Sequence, residues 1–233
     1  MPSSHHIAVT QPYFFPYLGY YQLVHHVDTF VFLDDVNFIK KGFIHRNSIR
    51  LNKRPHQFTL SVSHQSQNRH INEHLFMEDV NSIINIIGSA YSKAPNFSRV
   101  MPLVNEILGQ TDRNVAKLAA RSISSVFDYL AIPRNFLFSS EISKNNALKA
   151  QDRIIEVCRV LGAQRYTNPI GGMELYSREA FRAVGIHLEF IRMGNVTYEA
   201  PNYPFIPGLS IIDALMICST DEVRALFENY DVA

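Results

Sequence analysis

The sequence predicts an α/β protein built on a mainly parallel, Rossmann-like sheet with a helical insertion. Short apolar runs alternate with amphipathic helical patterns near both ends of the 233-residue chain, which is typical of strands joined by crossover helices. Between residues 78 and 132, three helical patterns follow one another without a strand. These two observations indicate a sheet whose connections are interrupted by a helical layer.

The first elements follow from short patterns. Residues 7–10 form an apolar run before a proline-rich turn, which predicts a buried strand. Apolar side chains at three- and four-residue steps predict a helix from about residue 16 or 18 to residue 26. β-Branched and aromatic residues predict a strand over residues 29–33. A loop with a short strand follows over residues 37–50, then a strand over 57–63 and a loop over 63–72.

The elements after residue 78 are predicted from the same kinds of pattern. Helical periodicity predicts three consecutive helices, around residues 80–91, 97–108 and 114–130. Alternation then resumes with strands over residues 135–138, 165–167 and 186–192 and helices over 149–161 and 177–184. The chain ends with a turn over 168–172, a loop over 198–208, and a helical pair capped by Ser210, whose second helix starts at Thr220 or Asp221. We therefore predict one compact unit with an N-terminal α/β half (1–77), a helical insertion (78–132) and a C-terminal α/β half (133–233).

Composition narrows the function classes. The chain is 46% hydrophobic and 18% charged, as in ordinary globular proteins. A net charge of +1 gives no broad positive field, so we expect no nucleic-acid partner. Cys158 and Cys218 lie in apolar helical patterns, which favours reduced core thiols and a cytoplasmic location. No run reaches about 18 apolar residues, and the start lacks the pattern of an export signal, so we expect no membrane insertion.

Polar residues follow the first two predicted strands. Gln11 comes after the first strand, and Asp34 and Asp35 come after the second. Because the carboxyl ends of parallel strands open onto one crevice, we expect these side chains to be neighbours. Adjacent strand residues point to opposite faces, so one carboxylate would face the crevice. It could act as a general base, bind a sugar hydroxyl or hold a divalent metal; the alternative is a helix cap or an ion pair with Lys40 or Lys41.

A cationic stretch follows the aspartates and also contains Phe38 and Phe43. Its cationic side chains suit a phosphate or carboxylate, and the aromatic rings could stack on a base or sugar. A solvated charged loop is the alternative. Arg46 and Asn47 are the first candidates, and the other cationic residues are Lys40, Lys41, His45 and Arg50.

Three further groups carry weaker hypotheses. The turn from Asn168 to Gly172 could receive an anion on its backbone amides, or it could be a tight turn without a ligand. His70 and His74 are four residues apart and would share one helical face, but no third ligand follows from spacing, so we assign no metal. Ser210 and Asp213 have the spacing of a helix cap and its partner, which favours capping over catalysis.

Several motifs together resemble one known family. They are Gln11-Pro12-Tyr13-Phe14-Phe15-Pro16-Tyr17-Leu18-Gly19-Tyr20, Phe32-Leu33-Asp34-Asp35-Val36-Asn37-Phe38, His45-Arg46-Asn47-Ser48-Ile49, Tyr91-Ser92-Lys93-Ala94-Pro95, Tyr166-Thr167-Asn168-Pro169-Ile170-Gly171-Gly172 and Leu209-Ser210-Ile211-Ile212-Asp213. The chain carrying them resembles the WbqC-like proteins. The resemblance implies a bacterial protein encoded among genes for O-antigen, lipopolysaccharide or other surface polysaccharides. The resemblance implies a biosynthetic pathway, but it does not imply which reaction the protein catalyses.

The order of elements at the N-terminus is also similar to that of nucleotidylyltransferases, which bind phosphates through an H-x-G-H motif. Tyr17-Leu18-Gly19-Tyr20 keeps the glycine of that motif and replaces both histidines by tyrosines. Tyrosine donates a hydrogen bond but carries no positive charge at neutral pH, so it stabilises developing negative charge less well. The two replacements therefore argue against standard nucleotidyl transfer.

We expect a transferase acting on an activated or nucleotide-linked sugar precursor, with acyl, aminoacyl and nucleotidyl transfer all left open. The catalytic candidates are Gln11, Asp34 and Asp35. The substrate-binding candidates are Tyr13, Tyr17, Gly19, Tyr20, Lys41, His45, Arg46, Asn47, Asn168, Gly171 and Gly172. No cofactor is identified, and a carrier protein or pathway enzyme is a further expected partner. The alternatives are a noncatalytic binding or scaffold protein and a metal-dependent hydrolase using His70 and His74.

Overall fold

The structure is a computed structural model that describes residues 5–201 and 203–233. The expectation that the chain lacks an export signal rests partly on residues 1–4, which lie outside the described residues. Within the described part of the chain, no helix is long and apolar enough to cross a membrane.

The strands divide between a central sheet and a separate hairpin. In chain order they are β1 (His6–Thr10), β2 (Thr29–Phe32), β3 (Arg46–Leu51), β4 (Arg54–Thr59), β5 (Asn135–Phe138), β6 (Arg165–Pro169), β7 (His187–Met193) and β8 (Tyr230–Val232). The central sheet has the order β5-β2-β1-β6-β7-β8, in which β8 is antiparallel to β7 and every other pair is parallel. β3 and β4 form the antiparallel hairpin. The prediction of an α/β fold with a mostly parallel central sheet is thus confirmed.

Helices connect the strands and cover the sheet. They are α1 (Leu18–His26), α2 (Asn81–Tyr91), α3 (Phe97–Leu108), α4 (Val115–Tyr129), α5 (Ala150–Val160), α6 (Arg178–Ala183), α7 (Ile211–Ile217) and α8 (Thr220–Glu228). The β3–β4 hairpin and then α2, α3 and α4 follow β2 along the chain and precede β5.

The sheet separates two hydrophobic cores. Side chains of β1 alternate between them, as the period of a strand requires. Ala8 packs in the larger core, which also holds buried residues of α1, α4 and α8. Ile7 and Val9 pack in the smaller core with Val157 of α5 and Phe181 of α6. Helices therefore cover both faces and leave the carboxyl ends of the parallel strands as the edge where a ligand can enter.

The observed elements depart from the predicted ones at a few places. β4 begins at Arg54 rather than residue 57, and β8 was not expected. The predicted turn at 168–172 is divided, because Asn168 and Pro169 extend β6 and a 3-10 helix follows over Ile170–Leu175. The last helix starts at Thr220, one of the two predicted starts. Ser219 is the N-cap of α8, because its hydroxyl accepts a hydrogen bond from the Glu222 amide while the Glu222 carboxylate accepts one from the Ser219 amide.

Candidate functional site

A cavity of about 740 Å³ lies at the carboxyl ends of the parallel strands. Gln11 follows β1, Asp35 follows β2 and Ser140 follows β5, and all three line the cavity. The start of α5 contributes Lys149 and Arg153. The other lining residues are Leu33, Val36, Asn37, His70, Asn146, Ala150, Ile154 and Tyr176. Its volume is in the range of small-molecule sites, roughly 300–1,000 Å³.

Asp35 is buried and held in place by cations. Its Oδ2 accepts a hydrogen bond of 2.7 Å from Lys144 Nζ, whose side chain is 1% exposed. Lys144 also donates to the carbonyl oxygen of Ser139. Arg153 lies 3.7 Å from the other carboxylate oxygen, Oδ1, and donates to the Asp35 carbonyl oxygen at 2.9 Å. Burial alone would raise the pKa of Asp35, but the hydrogen bond and charge of Lys144 outweigh it, so the pKa of this carboxyl lies below its ordinary value.

The Oδ1 atom of Asp35 is different from Oδ2. It is buried, and among the described residues it has no hydrogen-bond partner. A buried carboxylate oxygen without a donor is costly, since the group has lost water without gaining a replacement. Asp35 is therefore an ionised carboxylate whose Oδ1 lies beside the Arg153 guanidinium but lacks a hydrogen-bond donor among the described residues.

Asp34 faces away from this cavity, as expected for the neighbour of Asp35. Its Oδ1 accepts a hydrogen bond from the Ser140 amide at 2.9 Å, and its Oδ2 accepts from the Ser140 hydroxyl at 2.6 Å. Asn72 donates to the same Oδ2 at 3.2 Å. Asp34 thereby ties the end of β2 to the segment after β5 and lines a smaller cavity of about 230 Å³. Its catalytic role remains a prediction.

Arg153 of α5 and Lys149, the N-cap of that helix, both line the cavity. The guanidinium of Arg153 is fixed by backbone carbonyls: Nε donates to Leu148 and one terminal nitrogen to Asn146, each at 3.0 Å. Lys149 is exposed, and its ammonium group has no hydrogen-bond partner within the described part of the chain. One cation is thus pre-oriented, whereas the other is free to reach a ligand.

Asn47 has a structural contact instead of facing the cavity. Its Nδ2 donates to the carbonyl oxygen of Phe15 at 2.5 Å, and the Ser210 hydroxyl donates to the same oxygen at 2.7 Å. Phe15 has a positive φ of 41°, which non-glycine residues adopt at a cost. The Phe15 amide donates to Ser122 Oγ at 2.8 Å. These bonds fix the turn that follows Gln11, and a substrate contact of Asn47 remains a prediction.

The other cationic candidates of that stretch also lie outside the set that lines the cavity. Arg46 donates from Nε to the Gly42 carbonyl oxygen at 3.1 Å. His45 is buried, and its pKa is lowered by burial and by the charge of Arg46. Lys41 is exposed, with a φ of 62°. Their roles in substrate binding remain predictions.

The aromatic candidates form a packed group next to Gln11. The Tyr20 hydroxyl donates to the Gln11 carbonyl oxygen at 2.9 Å, and burial raises the pKa of Tyr20 well above its ordinary value. The Tyr13 ring lies 5.5 Å from the Tyr20 ring. The Tyr17 ring occupies the space beside Gly19, where an added Cβ would lie 2.6 Å from Tyr17 Cε2. Tyr20 thus positions the backbone of Gln11, and direct substrate contacts of these tyrosines and of Gly19 remain predictions.

The glycine-containing segment after β6 is adjacent to the cavity but does not line it. Asn168 is buried and donates from Nδ2 to the Tyr166 hydroxyl at 3.2 Å. An added Cβ at Gly172 would lie 3.2 Å from the Asn168 side chain, whereas one at Gly171 would meet nothing within 4 Å. The cavity residue from this part of the chain is Tyr176. An anion contact at Asn168, Gly171 or Gly172 remains a prediction.

The histidines do not form the metal site that His70 and His74 could have made. His74 Nδ1 lies 2.7 Å from the His70 carbonyl oxygen, and Nε2 accepts from the Ser66 amide at 3.1 Å, so both ring nitrogens are engaged. A separate cluster of His6, His26 and Glu189 has its donor atoms within 4.8 Å of one another.

That cluster is already saturated by protein contacts. Glu189 accepts hydrogen bonds from His26 at 2.8 Å and from the Thr167 hydroxyl at 2.8 Å. Arg165 reaches both of its carboxylate oxygens, at 3.1 and 3.0 Å. The arrangement is that of an ion-pair network, since each donor atom has a protein partner.

The sequence hypotheses missed several cavity residues. Lys149, Arg153, Ser140 and Tyr176 were not candidates, although His70 was considered as a metal ligand. A usable signal existed for two of them: Lys149 and Arg153 are spaced by four at the start of a predicted helix. The other two depend on how β5 and the segment after β6 turn toward β1 and β2.

The sequence of this chain also matches a known protein family. The model of the WbqC-like protein family matches residues 11–225. The chain belongs to the WbqC-like protein family. The match includes every residue that lines the large cavity of this WbqC-like protein.

This WbqC-like protein is also similar to an uncharacterized protein of Mycobacterium tuberculosis, Rv1507c. The two are 22% identical over 214 residues, which cover 90% of this chain and 92% of the relative. No solved structure shows significant similarity to this WbqC-like protein.

Proposed function

We propose that this WbqC-like protein is a cytoplasmic group-transfer enzyme acting on an activated or nucleotide-linked sugar precursor of a bacterial surface polysaccharide such as O-antigen. One observation carries the proposal: Gln11 and the ionised Asp35 share a ligand-sized cavity with Lys149 and Arg153. Such a precursor combines hydroxyl groups, which suit amide and carboxylate side chains, with phosphates, which suit cations.

The topology supports a Rossmann-like ligand site. If the parallel strands are numbered in chain order, their spatial order is third, second, first, fourth, fifth. This order is that of doubly wound nucleotide-binding sheets, in which ligands bind where the order reverses. Here the reversal lies between β1 and β6, and Gln11 directly follows β1. A nucleotidylyltransferase-like N-terminus is part of the proposal, with residues 78–132 as a helical insertion between two α/β halves.

The chemistry of the site favours orientation and charge stabilisation. A carboxylate with a lowered pKa is a weak base, so Asp35 would chiefly align the proton of an attacking hydroxyl or amino group. Lys149 and Arg153 would stabilise negative charge that develops on a leaving group. Gln11 offers both a donor and an acceptor for positioning the sugar. The transferred group is left open among acyl, aminoacyl and nucleotidyl.

The experiment is a ligand screen on matched variants. Purified protein would be titrated with nucleotides, nucleotide sugars and acyl thioesters, using saturation-transfer NMR and thermal shift. We expect a ligand that binds the wild type and loses at least about tenfold in affinity in both Gln11→Ala and Asp35→Asn. Asp112→Asn, an exposed carboxylate outside the cavity, is the control. Binding that is insensitive to both cavity variants would contradict the proposal.

A noncatalytic binding or scaffold protein of the same pathway is the second candidate. Exposed apolar side chains favour it, since Phe43 is 55% and Leu75 53% exposed and such groups occur at protein interfaces. It predicts that polar substitutions of Phe43 and Leu75 impair polysaccharide assembly while Asp35→Asn does not. Measurement of polysaccharide length in cells carrying each variant separates the two candidates.

A further inference from the structure

The side of the large cavity next to the smaller hydrophobic core is apolar and includes an aromatic ring. Ile154 belongs to that core, and Leu33 and Tyr176 are half-buried side chains packed against it. All three also line the cavity. A ligand therefore meets two aliphatic side chains and a phenol ring where the cavity borders the core. Apolar and aromatic lining with a few polar groups is typical of small-molecule sites.

The ring of Tyr176 is held in one orientation by protein contacts. It makes T-shaped contacts with Tyr166 and Phe181, each with ring centroids 6.0 Å apart, which is a geometry that aromatic pairs favour. The next residue, Ser177, donates from its amide to Gln151 Oε1 at 2.5 Å, which joins this segment to the first turn of α5. A side chain that is already ordered loses little conformational entropy when a ligand packs on it.

Three amide side chains line the same cavity, those of Gln11, Asn37 and Asn146. Gln11 and Asn146 accept hydrogen bonds at their backbone carbonyl oxygens, and Asn37 forms a backbone bridge with His70. Within the described part of the chain, no protein group binds the side-chain amide of any of the three. Because each amide offers both donors and an acceptor, the cavity combines an apolar, aromatic side with groups that can bind a ligand of mixed polarity.

This combination favours a nucleobase over a sugar ring beside Tyr176. A base has two faces without hydroxyl groups, which stack on aromatic rings, and an edge of donors and acceptors, which amide side chains bind. A sugar carries hydroxyl groups around most of its ring, and hydroxyls turned toward Leu33 and Ile154 would lack hydrogen-bond partners. The phenol ring therefore suits the base of a nucleotide.

The position of Tyr176 along the sheet agrees with this assignment. The order of the parallel strands reverses between β1 and β6, and nucleotides bind in the crevice at such a reversal. Gln11 follows β1 on one side of the reversal, and the segment that ends in Tyr176 follows β6 on the other. A nucleotide that spans the reversal can therefore contact both residues.

We propose that Tyr176, with Leu33 and Ile154, binds the base of a nucleotide, and that the amide side chains of Asn37 and Asn146 bind the edge of that base. The proposal rests on the proposed function for the group attached to the nucleotide, and it narrows the substrate class to nucleotide-linked precursors. Binding of the base itself is testable alone.

The test uses nucleosides as probes, because they carry a base without phosphate groups. Uridine, cytidine, thymidine, adenosine and guanosine would be titrated into the full chain and followed by saturation-transfer NMR. We expect at least one nucleoside to bind, and Tyr176→Ala to weaken its binding by at least about tenfold. Tyr176→Phe should stay within about threefold of the wild type, because it keeps the ring. Leu175→Ala changes a neighbouring exposed side chain that does not line the cavity and should leave the affinity unchanged.

Further measurements keep the test decisive. Circular dichroism of each variant checks that the fold is retained. If Tyr176→Ala does not fold, Tyr176→Leu, which keeps apolar bulk but removes the ring, gives the same comparison. Absence of nucleoside binding, or equal affinity in the wild type and the variant without the ring, overturns the subsite. Methyl riboside that binds as tightly as the nucleoside and equally depends on Tyr176 also overturns it, because a sugar would then lie beside the ring.

The outcomes separate this subsite from the proposed function. If no nucleoside binds but an acyl thioester binds in a manner that depends on Gln11 and Asp35, the base subsite fails and group transfer is still supported. If nucleoside binding depends on Tyr176 but the ligand screen finds no binding sensitive to Gln11 and Asp35, the subsite stands and the proposed function fails.

Discussion

Arg50 and Asp213 form a buried bidentate ion pair that joins the β3–β4 hairpin to α7. Arg50 Nε lies 3.1 Å from Asp213 Oδ1, and the second contact, from a terminal nitrogen to Oδ2, is 3.2 Å. Tyr91 and Tyr198 also donate to this carboxylate, at 2.7 and 3.1 Å. Arg50 was a candidate anion ligand, but its charge is used inside the protein.

Breaking this pair should destabilise the protein strongly. In Arg50→Ala, the Asp213 carboxylate stays buried without its cation, which costs roughly 3–5 kcal/mol. Urea unfolding measures the loss. The control is Lys117→Ala, which removes an exposed ion pair with Asp112 and should cost less than about 1 kcal/mol. Equal losses in the two variants would show that burial of the Arg50 pair has been misjudged.

Lys144 and Lys149 should separate stability from binding. In Lys144→Ala the buried Asp35 loses its hydrogen-bonded cation, and we expect the free energy of unfolding to fall by about 1–3 kcal/mol. Lys149 is exposed, so Lys149→Ala should change it by less than about 0.5 kcal/mol. Chemical denaturation of both variants is the measurement. A larger loss in Lys149→Ala than in Lys144→Ala would reverse the assignment.

Asn47 should act through the backbone. Asn47→Ala removes the bond to the Phe15 carbonyl oxygen and should lower the free energy of unfolding by about 1–2 kcal/mol. Because Ser210 donates to the same oxygen, the double variant with Ser210→Ala should lose more than the sum of the two single changes. Unchanged stability together with lost ligand binding would instead favour a substrate contact.

Glu189 should make stability depend on pH in the acid range. Burial would raise its pKa, but hydrogen bonds from His26, His6, Thr167 and Arg165 outweigh burial and hold it below the ordinary 4.5. Its contribution is therefore complete above about pH 4.5, the pKa of the unfolded chain, and is lost as pH falls toward the folded pKa. Between about pH 5 and pH 3, the wild type should lose at least about 1 kcal/mol more than Glu189→Gln. Parallel acid-dependence curves for the two proteins would contradict this.

Much of the fold could be predicted because its elements carry strong local patterns. The helix α3 has the bounds that its periodicity predicted, Phe97–Leu108. β8 was missed because a three-residue edge strand, Tyr230–Val232, has no period of its own and forms only through pairing with β7. The start of β4 was missed because Arg54, Pro55 and His56 are polar or strand-breaking residues, which are accommodated in an exposed hairpin.

The sequence predicted the site only for residues whose positions follow from the order of the strands. Gln11 and Asp35 could be brought together from sequence because both follow adjacent parallel strands. Lys144 and Arg153 could not, since their contacts to Asp35 join residues more than 100 positions apart. The inward direction of Asn47 depends on how the hairpin packs on the turn at Phe15, which no local pattern encodes.

The turn after Gln11 is held at Phe15 by Asn47, Ser122 and Ser210, which lie 32, 107 and 195 positions further along the chain. Nearly the whole polypeptide must therefore be synthesised before that turn can adopt its final conformation. We expect fragments truncated ahead of Ser210 to lack a competent cavity, even where their own strands and helices form.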